Sequence, residues 1–86
     1  MRTLEKTLKA LANKRRLAIL KYLKRNKEAS VGDIANEIRL SFKSTSRHLI
    51  VLASADIIER DQRSLNVYYR IAVPLAPAAR HIISIL

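Results

Sequence analysis

Residues 30–52, SVGDIANEIRLSFKSTSRHLIVL, hold two helical patterns of similar size separated by a tight break. In the first, Val31, Ile34, Ala35 and Ile38 recur at i, i+3, i+4 and i+7, the spacing of a helix that buries one face. Ser30 stands just ahead with Asp33 three residues on, close to a capping box, so the spacing predicts a helix start at Val31. Ser41 offers a second N-cap, and behind it Phe42, Thr45, Leu49 and Leu52 mark an apolar stripe that Ala53 extends. The second helix therefore begins about one turn after the first ends. Two such helices joined by Arg39-Leu40-Ser41 have the proportions of a helix-turn-helix, whose second helix lies in a major groove.

Opposite its apolar stripe the second helix carries Lys43, Ser44, Arg47 and Ser54. Lys and Arg pair with guanine O6 and N7, and Ser reaches base edges or phosphate, so this face has the chemistry to read a duplex. Two charges on a helix are equally what an ordinary solvated face displays. The whole composition shifts that balance: 17 Lys and Arg against 7 Asp and Glu leave a formal +10 on 86 residues. Such an excess favours a polyanionic partner, nucleic acid before an anionic membrane.

The same composition narrows the function classes. Without cysteine there is no disulfide, no zinc-finger geometry and no thiol sensing. No apolar run approaches the ~20 residues of a membrane span, and Met1-Arg2-Thr3-Leu4-Glu5-Lys6 has no signal core, so a cytoplasmic protein is expected. An enzyme is disfavoured because the seven acids are scattered and no nucleophile, base and orienter converge. Ser46 and His48, two apart on a helix, diverge. No catalytic residue, cofactor or metal is assigned. The length allows one domain, residues 1–86, and its modest buried fraction predicts an oligomer.

Upstream, Leu4, Leu8 and Leu11 predict a short helix near residues 3–12, with Glu5 early and Lys9 late. Asn13 can cap a second helix to about Arg25, whose Leu17, Ile19, Leu20 and Leu23 are too many for one narrow stripe and imply a central core helix. Lys14, Arg15 and Arg16 at its positive end are either solubilising charges or phosphate contacts. Asn26-Lys27-Glu28-Ala29 reads as a polar loop.

Downstream, Asp56 stands where the chain must leave the second motif helix, and Asp tolerates the left-handed conformation. Two β-prone runs, 57–62 and 66–71, separated by Arg63-Ser64-Leu65, predict a hairpin. A hairpin following such a helix is a wing. Arg63 at its tip can enter a minor groove or meet a phosphate, with Arg60 and Arg70 along its flanks, although each is equally accounted for as a solvated strand charge. Tyr68 and Tyr69 point to opposite faces, so one packs on the core. From Pro74 onward, Leu75, Ala79, Ile82, Ile83 and Leu86 predict a last helix near residues 75–86, with Pro77 in its first turn. Its apolar face rests on its own domain or on a second subunit. The expectation is a homodimer through the first and last helices, with Leu4, Leu8, Leu75, Ala79, Ile82, Ile83 and Leu86 in the interface.

Residues 8–20, LKALANKRRLAIL, resemble the opening of the ArsR-type winged-helix transcriptional regulators, and residues 40–52, LSFKSTSRHLIVL, resemble that family's recognition segment. Ser46-Arg47-His48-Leu49 is the most specific piece, and the stretch from Ile57 to Ile71 is similar to the family's wing. The resemblance implies a mainly α winged helix-turn-helix with a small β-hairpin, in the order α-α-α-α-β-β-α. It also implies a symmetric dimer that binds an inverted-repeat operator on double-stranded DNA and represses transcription. By position Lys43, Ser44, Ser46, Arg47 and His48 inherit the DNA-contacting segment, to which the start of the second helix adds Arg15 and Arg16 and the hairpin adds Arg60 and Arg63. Ser46 and His48 sit on the helix flanks and either touch phosphate or support the motif internally.

Three departures from the family pattern stand out: Phe42 for a usually polar residue, Ile50 for a usually charged one, and Asp56 for a common glycine. The metal-binding cysteines that many relatives carry on the first motif helix are absent from residues 28–33. Of the Asp, His and Glu ligands that others carry on the last helix, only His81 remains. One imidazole is not a site without partners, which leaves a metal shared by two His81 residues across a dimer as the remaining option. The competing class is a winged-helix module that binds nucleic acid without sequence preference or docks a protein.

Overall fold

The structure, a computed structural model, describes all 86 residues. The chain runs α1 (Arg2–Leu11), α2 (Lys14–Asn26), β1 (Glu28–Ser30), α3 (Val31–Ile38), α4 (Phe42–Ser54), β2 (Ile58–Arg63), β3 (Asn66–Ile71) and α5 (Pro77–Ser84). It is a winged helix-turn-helix: α3 and α4 form the motif and β2–β3 the wing.

Local chemistry starts three of the helices where the sequence pattern predicts. Asn13 Oδ1 accepts from the Arg15 and Arg16 amides at 2.9 and 3.1 Å, and Ser30 and Ser41 Oγ accept from the amides of Asp33 and Ser44, both at 3.1 Å. Each cap is worth about 1 kcal/mol. The motif helices end alike without glycine. Arg39 (φ 54°) and Asp56 (φ 59°) take the left-handed conformation, and the next amides, Leu40 and Ile57, reach back to the carbonyls of Ala35 and Leu52. Pro77 occupies the first turn of α5, where its missing N–H costs nothing.

Helix α2 lies at the centre. Its Ile19, Leu20 and Leu23 are fully buried together with Ile34 of α3, Leu49 and Leu52 of α4, and Ile57. Each side chain of this size contributes roughly 1.5–3 kcal/mol relative to exposure. Ala10 and Leu11 of α1, Ala29 of β1, Val31 of α3, Ala79 and Ile83 of α5, and Ile58 and Tyr69 of the wing complete the core.

The structure departs from the sequence expectation in four places. First, Glu28–Ser30, expected as loop, is a strand. Lys27 ends α2 with φ 67°, and Glu28, Ala29 and Ser30 then pair antiparallel with Arg70, Tyr69 and Tyr68, making a three-stranded sheet of order β1-β3-β2. Three residues are too few to show a period, and their partners lie some forty positions away. Second, Arg63 is within β2, opposite Asn66, so the wing turn is only Ser64-Leu65, with φ 58° at Ser64. Third, α5 begins at Pro77, leaving Leu75 in the preceding segment. Fourth, Phe42 does not join the buried stripe of α4 but is 63% exposed, because the first residue of that helix projects past the end of the core.

Candidate nucleic-acid interface

Helix α4 is held from beneath and from one flank. Thr45, Leu49 and Leu52 are buried on its inner side. On the flank, Arg16 donates from Nη1 to His48 Nδ1 at 3.2 Å, while its Nε and Nη2 donate to the carbonyls of Ala10 (2.6 Å) and Lys9 (3.2 Å) at the end of α1. One guanidinium thus ties α1, α2 and α4 together. Guanidinium only donates, so His48 accepts at Nδ1 and carries its proton on Nε2. Arg15 donates to the Ile38 carbonyl at 3.4 Å, at the C-terminal end of α3. Arg15 and Arg16, from sequence either solubilising charges or phosphate contacts, and His48, either a phosphate contact or an internal support, are all half-buried, with Arg16 and His48 bonded to each other and Arg15 to the end of α3.

Burial, and then the charges of Arg16 and Arg15, hold the His48 imidazole below its ordinary range. The sign follows. A histidine whose pKa is depressed on folding binds fewer protons folded than unfolded, so its contribution is fully present above about pH 6.5 and declines as pH falls below that. The melting temperature is therefore expected to drop between pH 7.5 and 5.5, and His48→Gln to flatten that drop. An unchanged slope in the variant contradicts the brace.

What remains outward on α4 is Phe42, Lys43, Arg47, Ile50, Val51 and Ser54, with Ser44 and Ser46 half-buried at the edges. Lys43 and Arg47 take part in none of the ion pairs of the fold. Their charges are free for a ligand.

The wing is electrostatically different. On the outer face of its sheet, Arg63 binds both carboxylate oxygens of Glu28 (2.6 and 3.2 Å) and Asp61 Oδ2 (2.9 Å), and its guanidinium lies 4.7 Å from the centre of the Tyr68 ring. The hydrogen bonds to Glu28 and Asp61 raise its pKa above the ordinary arginine range. Arg70 pairs with Glu59 at 3.1 Å and Asp61 at 3.5 Å. The sheet therefore holds three arginines and three carboxylates, and the formal +10 belongs to the helices and connections. Arg63 is folded back from the tip, where Leu65 stands 95% exposed; Arg60, opposite Tyr69, is exposed and in no ion pair.

The expected dimer residues divide. Ala79 (0% exposed) and Ile83 (6%) are buried in the chain's own core, and Leu75, Ile82 and Leu86 pack partly against it. Leu4 and Leu8 stay outward on α1, which packs beside α5; Met1 at the start of α1 and Ile85 just past the end of α5 are also exposed. The period of α5 fits two apolar faces: the pattern Ala79–Ile83 goes inward and Ala78–Ile82–Ile85 lies beside it. Periodicity alone does not say which face meets which neighbour. His81 is exposed, and no three His, Asp or Glu side chains cluster as metal ligands. No helix is long and apolar enough to cross a membrane.

The sequence model of the bacterial regulatory proteins of the arsR family matches residues 13–60, from the cap of α2 into β2. The transcriptional activator HlyU of Vibrio cholerae is 37% identical over 65 residues, which are 76% of this chain and 59% of that relative, so the match spans less than two thirds of its length. The solved structure of reduced HlyU superimposes with TM-score 0.82 at 30% identity, covering 98% of this chain and 84% of the other. A homodimeric winged helix-turn-helix DNA-binding domain from Mycobacterium bovis gives 0.84 at 32% identity, over 96% and 74%. The transcriptional repressor PagR of Bacillus anthracis gives 0.81 at 26% identity, over 98% and 92%. With its motif, wing and helical order as described, the chain belongs to the arsR family of bacterial regulatory proteins, which are DNA-binding transcription regulators and not enzymes.

Proposed function

We propose that the protein binds an inverted-repeat operator as a homodimer, reads it with the exposed side of α4, and represses transcription by occupying the duplex. The observation that carries this reading is the contrast on α4. Lys43 and Arg47 are exposed and unpaired on a helix whose cap, buried stripe and Arg16–His48 bond leave it one orientation. A helix of fixed orientation carries its outward cations to base edges in the groove, where Lys and Arg pair with guanine O6 and N7. Lys43 and Arg47 are the base-reading candidates, Ser44 and Ser46 the phosphate-facing ones, and Arg60 the free cation of the wing. Dimerisation through the Leu4–Leu8 side of α1 and the adjoining face of α5 is supported by their exposed apolar side chains and by the homodimeric relative. Repression requires nothing beyond occupancy of DNA; among the relatives, PagR is a repressor and HlyU an activator.

Arg47→Ala is expected to weaken binding to a selected operator by about 1–3 kcal/mol and to relax preference at one base pair per half-site. Fluorescence anisotropy on operator and shuffled duplexes measures both. An equal loss on both duplexes assigns Arg47 to phosphate and contradicts the base-reading role.

A further inference from the structure

We infer that Phe42 reads the 5-methyl group of a thymine in the major groove of the operator, an inference that rests on the operator-binding reading above. Phe42 is the only phenylalanine of the chain, is the first residue of α4, and is 63% exposed. The Ser41 cap at the same end fixes the backbone from which it projects. Its neighbours on the outward side are Lys43, Ser46 and Arg47, so whatever covers the ring must accept positive charge around an apolar spot. Duplex DNA has that chemistry. Its backbone is anionic, and the thymine methyl is the one apolar group that base edges present in the major groove. The N-terminal residues of a recognition helix are also those that meet base edges. Ile50 is equally exposed but lies about 12 Å farther along the axis, away from that end.

The test uses an operator selected from a random duplex library by the full chain, in which each thymine is replaced singly by deoxyuridine, removing only the methyl. For the wild type, one position per half-site is expected to lose about three- to fivefold in affinity, the value of one buried methyl group. In Phe42→Ala that position is expected to be indifferent to the exchange, while Ile50→Ala keeps the wild-type sensitivity. Phe42 is exposed, so the variant is expected to fold, which far-ultraviolet circular dichroism checks. Specific binding with no deoxyuridine-sensitive position, or the same sensitivity in Phe42→Ala, overturns the inference and leaves the operator-binding reading intact. Failure of the library to yield any preferred duplex rejects that reading and the inference with it.

Discussion

Leu8→Glu is expected to convert the proposed dimer to a monomer and to lower operator affinity by about 10²–10⁴-fold. Two half-sites held by one dimer gain that order of avidity from linkage alone, without any change in the contacts each subunit makes. Leu8 is 49% exposed on a face shared with Leu4, so a carboxylate there costs the single chain little but is buried unpaired in an interface. Ile85→Glu, at a position 68% exposed just past the end of the last helix, is expected to act in the same direction. Ile83→Glu is different: that side chain belongs to the core, and its replacement is expected to unfold the chain rather than separate two copies. Light scattering reads the mass and circular dichroism the fold. A folded Leu8→Glu protein that keeps its dimer mass contradicts this interface.

Leu49→Ala is expected to cost about 2–5 kcal/mol, the range for deleting a fully buried leucine side chain. Leu49 is fully buried in the inner stripe of α4, and it joins that helix to α2 and the wing through one cluster. Thr45, one turn earlier on the same inner stripe, is fully buried as well. Chemical denaturation gives the difference directly. For a chain of this size a loss at the upper end brings unfolding close to ambient temperature. A cost below 1 kcal/mol means that α4 is not seated on the core as described.

The parts of this fold that sequence reveals are those with local causes. Caps at Asn13, Ser30 and Ser41, most inward positions of α2 to α4 and the left-handed exit at Asp56 follow from neighbours within one or two turns; strand alternation says that one of Tyr68 and Tyr69 is inward, but pairing with β1 and β2 makes it Tyr69. What escapes has a distant cause. β1 exists because β3 offers it an edge, and the bracing role of Arg16 exists because His48, thirty-two positions on, arrives beside it. The same holds for Arg63. A lone arginine near a turn reads as a free wing charge, yet Glu28, on the far edge strand and the same face of the sheet, neutralises it. Phe42 misleads for a further reason: helical spacing assigns a residue to a stripe but not to the length of core beneath it. The apolar face of α5 was likewise legible as a face, whereas its division between own core and free surface depended on where α1 and α2 pack.

The central claim is that a rigid, outward-facing α4 reads sequence and does not merely neutralise phosphate. A fluorescence-anisotropy titration of the purified protein at near-physiological salt, against its own upstream DNA and a shuffled duplex of equal length, tests it most directly. The account predicts that the first binds at least ~10³-fold more tightly, the lower end of specific protein–DNA discrimination. Equal affinities that fall together steeply with salt mean counterion-driven binding without readout, and contradict it.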